Sequence, residues 1–197
     1  MKRRSTLLPI AVLLLATACG SAPTQFYTLT PIAGSAASSA APGPSVGVGP
    51  VELPKALNRP QIMTRKGQNE FELGELDQWA EPLDENFAQV LAENIATLLP
   101  TQRMTVYPWD RSREIDYQVV VKVLRFDRNQ GGDSVLKARW ALKSPGKDHE
   151  LLARETSYTQ RPAGEDYKAT VESMNRLLAD FSRDVAAALR GIKGRGL

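Results

Sequence analysis

The hydrophobic and polar positions divide this chain into three zones. Residues 7–18 form a nearly uninterrupted apolar run, and residues 33–45 contain only Ala, Ser, Gly and Pro. From residue 46 onward, short alternating segments are interleaved with two helical patterns, in the order strands, helix, strands, helix. This order is typical of a single α+β domain that follows an N-terminal leader.

Period-two alternation predicts the strands of the domain. The predicted strands are residues 26–30, 46–53, 61–65, 70–73, 104–107, 114–127, 134–143 and 150–158. Gly and Asn residues between the third and fourth of these runs indicate a hairpin, and the last three runs are predicted to form an antiparallel meander. Strict alternation in 114–127 places Val121 on one face and Phe126 on the other, which favours a central strand with two apolar faces.

Two segments have helical periodicity. One is residues 83–99, with Asp84 as the expected N-cap, and the other is residues 167–190, with Asp166 as N-cap and Gly191 just past the end. One face of the first helix carries Phe87, Val90, Leu91, Asn94, Ile95 and Leu98. We therefore predict an α+β fold with a mainly antiparallel sheet and two long helices packed on one face.

The N-terminal zone, residues 1–18, predicts a lipoprotein signal peptide. Three basic residues at 2–4 precede the apolar run, which would rise roughly 18 Å as a helix and is too short for a ~30 Å hydrocarbon core. Cys19 is the only cysteine and follows small residues, as in the bacterial lipobox, although Ala16 stands where Leu is commonest. The alternative is an ordinary signal peptide with an A-x-A cleavage site and an incidental thiol.

The domain boundaries depend on residues 26–30. If they form a strand of the domain, residues 33–45 are an internal flexible loop and the domain lies close to the membrane. If they are loose, everything up to residue 45 is a tether. We favour the first alternative, because free tethers seldom carry Phe-Tyr-x-Leu. The expected organisation is a lipidated N-terminus with a short tether at 19–25, a domain at 26–191 and a frayed tail at 192–197.

The charge balance gives no indication of a nucleic-acid partner. The formal net charge of +3 equals the three basic residues of the leader, so the mature chain is near neutral. Hydrophobic content is ordinary, and no second long apolar run follows the leader. We therefore expect a domain that acyl chains hold to a membrane, since several chains together anchor firmly.

The residues that could carry chemistry are few. His149 is the only histidine and lies in a polar turn without a nucleophile motif, and a zinc site would need three or four suitable ligands. Adjacent carboxylates such as Asp84 and Glu85 are typical of solvated residues in turns and helix caps rather than of a catalytic pair. Gly47 and Gly49 lack the third glycine of a dinucleotide fingerprint and indicate close packing or a bulge. We predict no catalytic residue, no metal site, no cofactor and no enzymatic activity.

Two short stretches combine apolar and charged side chains. Residues 75–83 place a tryptophan, a proline and two leucines beside three carboxylates, and residues 59–62 have a similar mixture. Trp79 either is a core anchor that fixes the entry of the first helix or borders a groove or subunit contact, where Trp and Arg are over-represented.

These pieces together resemble a known family, the ABC-type transport auxiliary lipoproteins, also called PqiC- or YmbA-type lipoproteins. The matching pieces, in order, are Cys19, Phe-Tyr-Thr-Leu at 26–29, Val-Gly-Val-Gly-Pro-Val at 46–51, Arg-Pro-Gln-Ile at 59–62 and Trp-Ala-Glu-Pro-Leu at 79–83. The resemblance covers essentially the whole mature chain, although the strand-rich second half matches only in pattern.

The resemblance implies a non-catalytic auxiliary subunit of an MCE-type lipid transport system in a Gram-negative bacterium. Its partners would be an MCE-domain protein and an inner-membrane permease with its ATPase. The lipoprotein would form a homo-oligomeric ring in the outer membrane, facing the periplasm, and support envelope integrity. Gly20 after Cys19 favours the outer membrane under the usual sorting rule. Cys19 would carry the covalent lipid, palmitate among its chains, as the link to the phospholipid membrane.

The same resemblance marks candidate partner contacts, namely Arg59, Pro60, Ile62, Trp79, Glu81, Pro82 and Leu83. Two other functions remain open from the residues alone. One is an envelope lipoprotein that binds or activates a peptidoglycan synthase, and the other is a solitary lipid-binding lipoprotein.

Overall fold

A computed structural model describes residues 22–34, 43–99, 101, 103–110, 112–129, 132–144 and 149–193 of the chain. The predicted signal peptide at 1–18, Cys19, most of the predicted flexible loop and the last four residues of the tail lie outside the described residues.

The described residues form eight strands and two helices. These are β1 (Gln25–Tyr27), β2 (Val46–Glu52), β3 (Gln61–Arg65), β4 (Phe71–Trp79), α1 (Leu83–Leu98), β5 (Met104–Val106), β6 (Tyr117–Arg128), β7 (Ser134–Ser144), β8 (His149–Gln160) and α2 (Tyr167–Lys193). The sheet runs in the order β1-β4-β3-β6-β2-β5, and β7 joins β6 to β8. The α+β fold class is therefore confirmed. β1 pairs with β4, so residues 25–27 belong to the sheet.

The direction of the strands differs from the prediction of a mainly antiparallel sheet. Among the described residues, four of the seven strand pairings are parallel: β1 with β4, β2 with β5, β2 with β6, and β3 with β6. The hairpin of β3 with β4 and the meander of β6, β7 and β8 are antiparallel, as predicted. Alternation along a strand fixes which side chains share a face but carries no information about its direction or its partners.

The central strand β6 pairs with β2, β3 and β7. Its register with β7 shifts between Val123 and Arg125, and such a bulge reverses the alternation beyond it. Phe126 therefore pairs opposite Leu136 and is buried on the same face as Val121, which pairs opposite Trp140. The prediction that Phe126 lies on the face opposite Val121 is wrong for this reason.

The start of α1 also differs from the prediction. Pro82 is the N-cap residue and provides no side-chain cap hydrogen bond, whereas Asp84 lies in the first turn. The Asp84 carboxylate accepts hydrogen bonds from the Glu85 backbone N–H at 3.0 Å and from the Asn58 amide at 2.9 Å. Asp84 is thus not the N-cap, although a carboxylate in the first turn still favours the helix through its dipole.

The start of α2 is as predicted, but its end is not. The Ala169 backbone N–H donates to Asp166 Oδ1 at 2.7 Å, which confirms Asp166 as the cap. The helix continues to Lys193, and Ile192 is buried in the core. The predicted stop at residue 190 and fraying from residue 192 are therefore wrong, because burial of Ile192 outweighs the weak helix propensity of Gly191.

An aromatic cluster joins both helices to one face of the sheet. The ring of Phe181 on α2 lies 5.9 Å from Trp140 on β7, 6.3 Å from Tyr158 on β8 and 6.3 Å from Phe87 on α1. Phe87 in turn meets Phe126 edge-on at 5.3 Å. Since Trp140 and Phe126 share one face of the sheet, both helices pack on that face, as predicted.

We predict that Phe181→Ala lowers the free energy of unfolding by about 3–5 kcal/mol, because it leaves a cavity at the centre of this cluster. Urea denaturation of the non-acylated chain measures the loss. The matched control is Phe26→Ala, which removes an exposed ring and is expected to change stability by less than about 0.5 kcal/mol. Equal losses for the two variants would show that the cluster does not hold the helices.

Candidate contact surface

The structure divides the seven candidate contact residues into two groups. Ile62, Trp79 and Leu83 are buried in the core, with exposed fractions of 1%, 6% and 1%. Arg59, Pro60, Glu81 and Pro82 are exposed. Trp79 therefore has the core position that was one of its two predicted alternatives.

The two stretches that carry these residues meet beside the start of α1. The Trp79 backbone N–H donates to the Pro60 carbonyl oxygen at 2.7 Å, which joins residue 60 to the end of β4. The Thr28 hydroxyl donates to Glu81 Oε1 at 2.9 Å, and the Ala80 N–H donates to the Tyr27 carbonyl oxygen at 2.8 Å. Chain segments that are distant in sequence thus form one surface at this end of the domain.

A groove of about 590 Å³ opens on this surface, and we call it the helix-entry groove. It is lined by Pro50, Val51, Glu81, Asp84, Glu85, Ala88, Gln89, Val106, Tyr107 and Pro108. Three carboxylates from the start of α1 form one side, and prolines and apolar side chains from the ends of β2 and β5 form the other. A concave apolar site with a few placed polar groups suits the binding of a ligand or a partner segment.

Tyr107 is the most exposed ring of the groove, with 54% of its surface accessible. Its ring meets Trp109 edge-on at 5.4 Å, and its backbone N–H donates to the Val48 carbonyl oxygen at 2.9 Å. Gly49 has a φ of +118°, and a Cβ atom there would lie 2.7 Å from Tyr107 Cβ. Glycine is thus required at this position, and the predicted role of the glycines in close packing is confirmed.

Beside the groove, the chain after β1 crosses both helices, and we call residues 28–32 the N-terminal strap. Its backbone N–H groups donate to asparagine side chains of the helices. Leu29 donates to Asn86 Oδ1 at 2.7 Å, Ile32 donates to Asn94 Oδ1 at 2.8 Å, and Thr30 donates to Asn175 Oδ1 at 3.0 Å. These bonds fix the strap although none of the three donors belongs to a strand.

The role of these asparagines was missed in the sequence, although one signal was visible. Asn94 lies within the apolar stripe of α1, and a buried asparagine in such a stripe must find hydrogen-bond partners. It is 1% exposed, and its amide nitrogen also donates to the Ser182 hydroxyl on α2 at 3.0 Å. It therefore links the strap, α1 and α2 at one point.

Tyr27 fixes the strand that precedes the strap. Its hydroxyl donates to Asp77 Oδ1 on β4 at 2.8 Å. Burial, followed by the hydrogen bond and the negative charge of Asp77, raises the pKa of Tyr27 to about 12. The tyrosine therefore stays neutral, and its hydrogen bond intact, throughout the physiological pH range.

The described residues do not present a cluster of metal ligands. Within them, no three His, Cys, Asp or Glu side chains are grouped so as to hold a metal ion. His149 is the first residue of β8 and pairs with Ser144, so its predicted placement in a turn is wrong. None of the described helices combines the length and apolarity that crossing a membrane needs.

Comparisons with known proteins agree with this fold. The family model described as "ABC-type transport auxiliary lipoprotein component" matches residues 27–186. A crystal structure of an uncharacterized protein is 17% identical, covers 85% of this chain and 99% of its own, and superposes with a TM-score of 0.71. A crystal structure of a DUF330 protein from Xanthomonas campestris is 14% identical, covers 88% and 100%, and has a TM-score of 0.68. No curated protein matches the chain.

We predict that Asn86→Ala lowers the free energy of unfolding by about 1–3 kcal/mol, because it leaves the buried N–H of Leu29 without an acceptor. Urea denaturation of the non-acylated chain measures the loss. Asn58→Ala is the control, since it removes only an exposed bond to Asp84 and is expected to cost less than about 0.5 kcal/mol. An Asn86→Ala variant as stable as the control would show that the strap is not held as described.

Proposed function

We infer the function of this chain from its family, because the chain belongs to the ABC-type transport auxiliary lipoprotein component family. It is therefore a membrane-anchored lipoprotein that serves an ABC-type transporter. We propose that the transporter is an MCE-type system that moves phospholipid between membranes. In this proposal the lipoprotein is a non-catalytic subunit, anchored through Cys19 in the outer membrane of a Gram-negative bacterium and facing the periplasm.

The observation that carries this proposal is the position of β1. Gln25, the first residue of β1, comes six positions after Cys19, and this stretch spans at most about 20 Å when extended. Since β1 is paired in the sheet and the strap is hydrogen-bonded to both helices, the tether ends where the folded domain begins. A domain held this close to a lipid surface is suited to receive the end of a conduit at that surface.

The helix-entry groove is the contact that we propose for the MCE protein. Its carboxylates, Glu81, Asp84 and Glu85, stand beside the exposed ring of Tyr107. This arrangement favours a partner segment with basic side chains around an apolar or aromatic residue, because opposite charges steer association and a buried aromatic side chain supplies affinity. Arg59, Pro60 and Pro82 extend the contact around the groove, whereas Trp79 and Leu83 support it from the core.

The proposed mechanism is mechanical. Copies of the lipoprotein assemble into a ring at the membrane, and the ring receives the end of the MCE conduit so that phospholipid passes between conduit and membrane. β1 and β5, the two ends of the sheet path, each pair with a single strand within the part of the chain that the structure describes, and their outer edges support lateral assembly. The energy comes from the partner ATPase, and loss of the lipoprotein weakens the envelope.

We predict that the acylated full-length chain, purified in mild detergent, retains an MCE-domain protein together with its permease. The double variant Tyr107→Ala/Glu85→Lys is expected to reduce this retention about tenfold or more, since it removes an aromatic anchor and reverses one charge of the groove. Quantitative mass spectrometry of the retained proteins measures the ratio. Glu172→Lys, an equal charge reversal at an exposed position of α2, is the control and should leave retention unchanged.

Three outcomes would contradict the proposal. Retention of a peptidoglycan synthase instead of an MCE protein would favour an envelope lipoprotein of another kind. Equal losses for the double variant and Glu172→Lys would remove the groove from the contact. The same spectra report the mass of the N-terminal peptide, and an unmodified Cys19 would overturn the membrane anchor itself.

A further inference from the structure

Three large hydrophobic side chains are exposed in the part of the chain that the structure describes. They are Phe26, Leu76 and Tyr107, with exposed fractions of 65%, 41% and 54%. Tyr107 belongs to the helix-entry groove. The other two lie together at the opposite end of the sheet path, where β1 pairs with β4, and neither the core nor the groove accounts for their exposure.

The register of β1 and β4 brings these two side chains to one edge. Gln25 pairs with Asp77 and Phe26 pairs with Gln78, so Leu76 lies one position before the paired segment and Phe26 lies within it. Tyr27 and Trp79, the next pair, turn toward the core, as the burial of Trp79 and the bond from Tyr27 to Asp77 require. Phe26 therefore projects from the opposite face of β1, away from the core.

The length of chain before β1 identifies what this edge faces. Phe26 comes seven positions after Cys19, so its Cα atom lies within about 25 Å of the Cα atom of the residue that carries the lipid. The residues between them that the structure describes, 22–25, are all exposed, and the paired strand β1 follows directly. β1 is thus the element of the folded domain that follows Cys19 most closely along the chain.

We propose that Phe26 and Leu76 contact the lipid surface of the membrane in which the protein is anchored. This inference rests on the acyl anchor of the proposed function, but not on the identity of the transporter. Phe26 lies at the level of the head groups, because β1 pairs only with β4 among the described residues and its outer edge needs hydrogen bonds that the hydrocarbon region does not provide. The contact adds a second attachment to the acyl chains and fixes the orientation of the domain on the membrane.

The proposed orientation also fixes the position of the helix-entry groove relative to the membrane. The strap that follows β1 binds Glu81 through Thr28, so the lipid-facing edge and the groove are joined through residues that are hydrogen-bonded to each other. A domain attached only by its acyl chains would rotate about a flexible tether. A domain that also rests on Phe26 and Leu76 presents the groove at a fixed height above the lipid.

Site-specific fluorescence on the acylated full-length chain tests the proposal. Cys19 is the only cysteine and is occupied by lipid, so Phe26→Cys and Leu76→Cys each give one position for an environment-sensitive dye. The labelled proteins are placed in vesicles of phosphatidylethanolamine and phosphatidylglycerol, with or without brominated lipids. Glu172→Cys, on the exposed side of α2, is the matched control.

Brominated lipid is expected to quench the dye at positions 26 and 76 by at least about threefold more than at 172, because bromine quenches only on contact. In addition, the non-acylated chain is expected to bind the same vesicles about tenfold more weakly when it carries Phe26→Ala, as the loss of one buried aromatic side chain predicts. Both results together support the proposal.

The proposed lipid contact would be overturned if aqueous iodide quenched the dyes at 26 and 76 as strongly as the dye at 172 while brominated lipid did not quench them. Dyes that are shielded only at high protein density would also overturn it, because they would assign the edge to a second copy of the chain. The vesicles contain no transporter, so either failure leaves the docking proposal untouched. Conversely, if the detergent-purified protein does not retain an MCE protein, the vesicle result still supports the lipid contact.

Discussion

The hydrogen bonds between the N-terminal strap and three asparagine side chains are the constraint on which the rest of this structure depends. The buried N–H of Leu29 lies outside a strand or helix and needs an acceptor, which the amide oxygen of Asn86 supplies. The amide oxygens of Asn94 and Asn175 accept from the partly buried N–H of Ile32 and the exposed N–H of Thr30. Two of these side chains come from α1 and one from α2. The segment nearest the membrane anchor is thereby attached to the same helices that cover the core.

This attachment is what the proposed role of the domain as a transport auxiliary subunit requires. A flexible tether would let the domain move freely, whereas a strap bonded to both helices transfers the position of the anchor to the whole fold. Thr28 is bonded to Glu81, and Glu81 lines the helix-entry groove. β1, the strap and the candidate partner contact are therefore parts of one connected surface, and the proposed function requires that this surface be held in place.

Much of the fold was predictable, because local patterns determine it. The helical stripes, the hairpin, the meander and the Asp166 cap each depend on residues that are near in sequence. The parallel pairings were not predictable, since alternation gives no strand direction. The bulge after Val123, which returns Phe126 to the core face, leaves no mark in the pattern. The groove combines Pro50, Glu81 and Tyr107, which only the tertiary fold brings together.

The most direct test of this account is native-state amide hydrogen exchange of the intact acylated chain. If the strap is held by the asparagines, the amides of Leu29, Thr30 and Ile32 exchange at least about 100-fold more slowly than the exposed tether amides at 22 and 24, with Leu29 the slowest because it is buried. If the three strap amides exchange at the rate of the tether, the folded domain begins after the strap. The close, oriented attachment to the membrane would then be wrong.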